Sequence, residues 1–219
     1  MAIFEKTYNA ISDMSAAIKA AEEVFQTAKK EILATFKSPA AENKLAEVKA
    51  VYESAVADQR RKAREAVAAD IADTRRKVNE VVSAAAPADF PATLAALQAK
   101  GERISDYESR AFLDKYNGSG GNYLAFSTLA DVLHSVNKAL DVLPVKADEI
   151  EDEISRVESG AMNVIQNATS NGYMMALFTS KEHSPILKSG EAVQLFIDGS
   201  FSTTGDSAAV AAAIARMNG

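Results

Sequence analysis

Few residues in this chain are of the types that carry chemistry, and their spacing argues against catalysis. The two histidines, His134 and His183, lie far apart, and neither belongs to an HExxH metal motif or accompanies a nucleophile motif. Because the chain has no cysteine, thiolate chemistry, disulfides and cysteine-based metal sites are excluded. We therefore expect a protein that is not an enzyme and that uses no cofactor or metal.

Two other segments contain groups that bind ions in proteins. Backbone amides of NGSGGN (117–122) could hold an anion, but the segment lacks the Lys-Ser/Thr of a P-loop, so we interpret it as a turn. Carboxylates of the type that hard cations prefer cluster in one predicted helix, but no turn brings them together. We interpret this acidic cluster as a solvated helix face; its members are Asp148, Glu149, Glu151, Asp152, Glu153 and Glu158.

The basic clusters QRRKAR and RRK are the best candidates for nucleic-acid binding. Most of their charge has a carboxylate four positions away on the same helix. These local pairs are Asp58–Lys62, Arg61–Glu65, Asp73–Lys77 and Arg76–Glu80. Arg60, Arg64 and Arg75 remain, and no aromatic residues are interleaved with them for stacking on bases. We predict that these three arginines meet the acidic cluster, in the same chain or another, and that no nucleic acid is bound.

The elements that must position these residues are helices, and residues 3–37 show the clearest repeat. Bulky apolar residues recur every seven positions, and mostly small residues fill the position three further on, which predicts a long helix that packs against another. The bulky series is Phe4, Ile11, Ile18, Phe25 and Ile32.

A second, longer helix is predicted over residues 39–86, which contain no internal Pro or Gly after Pro39. Its apolar seam includes Val67, Ile71 and Val78 after a shift in phase. The break at Ser38-Pro39 is compatible with an antiparallel hairpin or with a kinked continuous rod. In a hairpin the first helix is too short to cover the second, so the uncovered part must pack on later helices or on another subunit.

Pro87 and Pro91 mark the predicted boundary between a helical hairpin or coiled coil over 1–88 and a second helical region over 89–219. Ser105 and Glu108 form a predicted capping box. Further helices are predicted from the apolar stripes over 126–143 and 150–168.

The last part of the chain is predicted to contain a β-hairpin near 192–204. The apolar run Ala192 to Ile197 precedes Asp198-Gly199, a pair typical of a type I′ turn. Residues 173–178 are predicted as strand or buried helix, and Asp206 as the cap of a final helix. The predicted fold class is thus mainly α, with one possible β-hairpin.

These patterns favour a non-enzymatic structural or assembly protein that works through helix–helix association. We expect a homo-oligomer, with other structural proteins as further possible partners and no nucleic acid or membrane, since the net charge is only −6. A phage or virion scaffold, head or tail accessory protein is the more specific hypothesis. The predicted interaction residues are Phe4, Ile11, Ile18, Phe25, Ile32, Val67, Ile71, Val78, Arg60, Arg64 and Arg75.

The alternative hypothesis is a binding or adaptor module that recruits a partner through residues 100–219. Tyr107, Phe112, Tyr116 and Tyr123 are its predicted exposed contacts. The chain shows no signal peptide and no apolar stretch of membrane-spanning length, so we expect a cytoplasmic or virion location.

Overall fold

The fold is mainly helical, as the sequence predicts. In the computed structural model, residues 3–138, 142–168 and 184–202 are described. A 3₁₀ turn, Gly101–Arg103, joins the third helix to the fourth. The helices are α1 (Glu5–Thr35), α2 (Ala40–Val82), α3 (Phe90–Lys100), α4 (Asp106–Asp114), α5 (Tyr123–Ser135), α6 (Ala147–Asn167) and α7 (Pro185–Ile197).

The first two helices form an antiparallel hairpin, which decides between the two predicted arrangements at Ser38-Pro39. The backbone N–H and the hydroxyl of Thr7 both donate to Asp70 Oδ2, at 2.9 and 2.8 Å. Nearer the turn, the rings of Phe25 and Tyr52 stack with centroids 5.1 Å apart. Residue 7 thus lies beside 70 and residue 25 beside 52, so the register is the same along the hairpin.

The described residues divide into two compact units. The hairpin unit contains residues 4–71, 156–168 and 184–187, and the aromatic unit contains residues 3, 72–138, 142–155 and 188–202. This division does not follow the predicted boundary after residue 88, because α2 and α6 each contribute residues to both units.

In the hairpin unit, the apolar seam of the hairpin is buried near the open end. Ile11, Ile18, Val67 and Ile71 are almost completely buried. The guanidinium of Arg60 donates to the carbonyl of Ala168 at 2.6 Å, which joins the end of α6 to α2 at this level. The end of α6 therefore lies beside α2 at the level of the buried seam.

The aromatic unit is built around four rings from two distant parts of the chain. Tyr123 and Phe126 come from α5, whereas Phe196 and Phe201 come from the end of α7 and the segment after it. Ring centroids lie 5.2 to 5.9 Å apart, in tilted and edge-to-face arrangements. Aromatic pairs in these geometries stabilise the unit beyond the effect of burying apolar area.

Helix starts in the aromatic unit follow the sequence signals. Ser105 and Glu108 form the predicted capping box at the start of α4. Pro91 lies in the first turn of α3, where its missing N–H costs nothing. Asn122 caps α5 by accepting from the N–H of Ala125, and its amide group donates to the carbonyl of Ala85 at 3.0 Å.

The predicted β-hairpin near 192–204 is wrong over 192–197, which form the last part of helix α7. Gly199 does have positive φ (94°), but its turn ends a helix instead of joining two strands. The N–H groups of Gly199 and Ser200 donate to the carbonyls of Phe196 and Leu195. This is the Schellman arrangement, with glycine in its usual left-handed position. Residues 203 and 204 lie outside the described residues.

The predicted helix over 126–143 ends earlier, at Ser135, for the same physical reason. Asn137 adopts φ 56°, and the N–H groups of Asn137 and Lys138 donate to the carbonyls of His134 and Leu133. Asparagine thus takes the left-handed position that glycine takes after α7. Apolar spacing alone does not reveal this helix end. The predictions for residues 173–178, His183 and Asp206 lie outside the described residues.

Candidate interaction surface

The predicted apolar interaction residues are placed mainly inside the single chain. All but one of them are buried, and Phe25 is half-buried. Val67, Ile71 and Val78, which were expected to pack on later helices or on another subunit, have less than a tenth of their surface exposed. Since these residues are covered within the single chain, self-association stays a prediction and needs another surface.

The three arginines have three different environments. Arg75 Nε lies 2.7 Å from Glu151 Oε1, so the predicted pairing with the acidic cluster is confirmed for this residue, within the chain. Arg60 instead binds the carbonyl of Ala168. Arg64 is exposed and forms no ion pair with any residue in the described ranges.

The four local pairs predicted for the basic clusters are all present. The nitrogen–oxygen distances are 2.7 Å for Lys62–Asp58, 2.9 Å for Arg61–Glu65, 2.9 Å for Lys77–Asp73 and 2.5 Å for Arg76–Glu80. Hydrogen bonds from Lys77 and then Arg76 lower the pKa of Asp73 to about 2. Much of the basic charge is therefore neutralised on the helix itself.

The remaining candidates for chemistry are held in structural contacts. His134 Nε2 lies 3.0 Å from the carbonyl oxygen of Val142. Glu151 pairs with Arg75, and Glu153 is buried, so the acidic cluster is not simply a solvated face. Within the part of the chain that the structure describes, no three metal-ligating side chains lie together.

The glycine-rich segment is a structural turn. The N–H groups of Gly118, Gly121 and Asn122 donate to the carbonyls of Gly199, Gly118 and Tyr116. A Cβ atom added to Gly199 would lie 2.2 Å from the Gly118 carbonyl oxygen, so the two turns touch backbone to backbone. A crevice of about 320 Å³ lies beside them, lined in part by Lys77, Gly120 and Phe201.

The part of the hairpin nearest the turn differs from the part near its open end. We call residues 5–18 with 59–71 the base half and residues 19–58 the tip half. In the tip half Ile32 and Val56 are still buried, but four seam residues are only half-buried: Phe25, Leu45, Val48 and Tyr52. Val24 and Val51 are each 70% exposed. Apolar side chains in the tip half thus lack the cover that the base half has.

Val24 and Val51 lie on the same side of the hairpin. Each precedes a seam residue, Phe25 or Tyr52, by one position, which is about 100° around its helix. Because the two helices are antiparallel, a step of one residue from the seam toward the N-terminus leads to the same side of the hairpin on both helices. The register places Val24 within about 3 Å of the level of Val51.

We call this side of the tip half the valine face. A shallow depression of about 490 Å³ runs along its α1 part. The residues of the valine face are Ala20, Val24, Thr27 and Ala28 on α1 and Lys44, Val51, Ala55 and Asp58 on α2.

The opposite edge of the seam carries a small polar network. Glu22 accepts hydrogen bonds from Gln26, at 2.5 Å, and from the Tyr52 hydroxyl. These bonds lower the pKa of the Glu22 carboxyl below its ordinary value. Burial, followed by the hydrogen bond to Glu22, raises the pKa of the Tyr52 hydroxyl.

The heptad pattern does not reveal the valine face, because it identifies only the residues that face a neighbouring helix. One signal could have revealed it. Lys44, Val51 and Asp58 follow one another at intervals of seven residues, so they form a second stripe on α2. The stripe has a positive charge at one end and a negative charge at the other.

The predicted contacts of the alternative binding module are only partly available. Tyr107 is 84% exposed, as predicted, but Tyr116 is buried and its hydroxyl donates to Thr93 Oγ1 at 3.1 Å. Tyr123 packs in the aromatic cluster, and Phe112 is half-buried.

Comparison of the chain with protein-family models, with curated proteins and with solved structures finds no match. Among the helices of the described ranges, none has both the length and the apolar composition that crossing a bilayer requires.

Proposed function

We propose that this is a non-enzymatic structural or assembly protein whose contact element is the tip half of the hairpin. The observation that supports this most directly is the 70% exposure of both Val24 and Val51 on one side of a thin two-helix element. Leaving large apolar side chains exposed in a group is typical of an interaction surface. A virion scaffold, head or tail accessory protein is the more specific form of this proposal.

The charge of the tip half fits a protein partner. Residues 19–58 contain six lysines and seven carboxylates, a net charge of −1. Binding to nucleic acid or to an anionic membrane draws on an excess of positive charge, which this element lacks. A partner with mixed or no net charge is therefore favoured.

A deletion that keeps the register tests the proposal. Residues 22–28 of α1 lie beside 49–55 of α2, so removing both segments shortens each helix by one heptad and leaves the remaining seam aligned. Sedimentation velocity over a wide concentration range should show association of the full chain and only monomer for the shortened chain. A control variant keeps both helices at full length and replaces Leu33, an exposed residue outside the valine face, with Asp.

The Leu33→Asp control should associate like the parent. Circular dichroism must show that the shortened chain keeps its helical content and melts cooperatively. A parent that stays monomeric at all concentrations, or a folded shortened chain that associates like the parent, would contradict the proposal.

A further inference from the structure

We propose that the partner of the valine face is the valine face of a second copy, packed antiparallel about a two-fold axis at the level of Val51. This inference rests on the proposed function and specifies its partner. It makes three demands on the residues of the face, and each can be checked from the register and spacing described above.

The first demand is an uncharged centre, because a two-fold axis places each central residue against its own copy. Val51 lies on the axis, and Gln26 is at the same level on α1. The two-fold axis reverses the direction of α1 about that level. Val24, two residues before Gln26, therefore lies opposite Ala28 of the other copy, two residues after Gln26. A large side chain thus meets a small one on both sides of the axis, which suits close helix packing.

The second demand is charge complementarity away from the centre. Lys44 and Asp58 are each seven residues from Val51, in opposite directions, which is about 10.5 Å along the helix and the same angular position within about 20°. The two-fold axis therefore brings Lys44 of each copy to the level of Asp58 of the other. Within its own helix Asp58 already pairs with Arg61 at 2.6 Å and Lys62 at 2.7 Å, so Lys44 would be a third cation beside this carboxylate.

The third demand is the absence of like-charge contacts. Glu31 and Glu47 also border the valine face, on the side toward the turn. The same reflection places Glu31 opposite Ala21 of the other copy and Glu47 opposite Ala55. Neither glutamate is level with another carboxylate. The position opposite Glu31 is two residues from Glu23, which lines the same depression. The position opposite Glu47 is three residues from Asp58.

The size of the face sets the expected strength. Each helix of the tip half has about 18 residues, or about 27 Å, and two helices side by side are about 20 Å wide. Two such faces bury roughly 1,100 Å² in total, close to the lower limit of about 1,000 Å² for a specific interface. We therefore expect a dimer with a dissociation constant in the micromolar range.

Charge reversal with mixing tests the geometry in the full chain. Lys44→Asp places Asp against Asp58 of the other copy, and Asp58→Lys places Lys against Lys44. Each variant alone should dimerise about tenfold more weakly than the parent. A mixture of the two should recover the affinity of the parent, because in the mixed dimer both contacts join opposite charges.

The matched control reverses a pair on the other side of α2. Lys49 and Glu53 form an exposed ion pair at 3.5 Å, outside the valine face. Lys49→Glu and Glu53→Lys should each dimerise like the parent, alone or mixed.

Cross-linking supplies an independent test, since the chain has no cysteine of its own. Val51→Cys should be joined to its own copy by a short bis-maleimide, whereas Leu33→Cys should not. Sedimentation should show two chains per particle.

The outcomes separate this inference from the proposed function. In one outcome the parent associates and the shortened chain does not, but mixing the two charge-reversal variants does not restore the dimer affinity and Val51→Cys fails to cross-link. That outcome overturns only the valine-face dimer. Particles of three or more chains would overturn the two-fold arrangement as well. A strictly monomeric parent would overturn both.

Discussion

The base and tip halves of the hairpin carry the same seven-residue repeat, yet their seams are buried to different degrees. In the base half Ile11 and Ile18 are each 1% exposed. In the tip half Phe25 and Tyr52 fill equivalent seam positions but remain half-buried. The repeat determines which residues face the other helix. The depth of burial depends on a third helix, which reaches the base half where Arg60 meets Ala168.

This difference has an energetic consequence. Two helices that pack only on each other bury one apolar stripe on each helix. The free energy gained scales with the apolar area removed from water, so it is smaller than where a third helix adds cover. The base half therefore supplies most of the stability of the hairpin, and the tip half keeps apolar surface available for a partner.

The largest expected effect comes from shortening side chains of similar size in the two halves. Ile18→Ala should lower the free energy of unfolding by about 3 kcal/mol, because it leaves a cavity in a closed core. Leu45→Ala, at a half-buried seam position, should cost about 1 kcal/mol. Urea denaturation of both variants at a concentration where the protein is monomeric measures the two values. Equal losses would mean that the halves do not differ in packing.

A smaller effect is expected from the polar contact that closes the base half. Asp70 is buried and accepts both the N–H and the hydroxyl of Thr7, so Asp70→Ala leaves two buried donors without this acceptor. The loss should be about 2 kcal/mol. Glu53→Ala, which breaks an exposed ion pair in the tip half, should cost less than about 0.5 kcal/mol. Thermal melts of the pair make the comparison, and a large loss for Glu53→Ala would contradict it.

The smallest effect concerns the network around Tyr52 in the tip half. The lowered pKa of Glu22 means that its contribution to stability is present above the ordinary value of 4.5 and is lost as the pH falls. The raised pKa of Tyr52 means that its contribution to stability is complete below the ordinary value of 10.0 and is lost as the pH rises through the higher pKa of the folded state.

Glu22→Gln should therefore lower the melting temperature at pH 7 by only about 1 °C, since the site is near the surface. The difference from the parent should close as the pH falls below about 4. A gap that stays constant from pH 7 to pH 3 would show that the charge of Glu22 has no part in it.

Much of the hairpin could be predicted from the sequence because its signals are local. Heptad spacing predicts which residues face a neighbouring helix, and Ser38-Pro39 predicts where the first helix ends and the second begins. The four ion pairs on α2 follow from spacing alone. The pairing of Arg75 with Glu151 was predicted from charge, and its partner helix was identified correctly.

The incorrect predictions arose where one local signal fits two structures. Asp198-Gly199 suits a β-turn and a helix end equally, since both need positive φ at glycine. The burial of Ala192, Val193 and Phe196 has helical spacing, which favours the helix. The valine face was missed because exposure depends on which helices cover the hairpin, and one sequence does not reveal that.

The aromatic cluster has a consequence for the order in which the chain acquires its structure during synthesis. Asn117 accepts from the N–H of Phe201 at 2.7 Å, and Phe201 and Phe196 pack against rings of α5 that are made about 75 residues earlier. A ribosome adds roughly 5–20 residues per second, so α5 waits several seconds or more before its ring partners exist. Until then Tyr123 and Phe126 lack the cover that the finished protein gives them. The nascent chain should therefore be most prone to aggregation or chaperone binding in this interval, and release of residue 201 from the ribosome ends it.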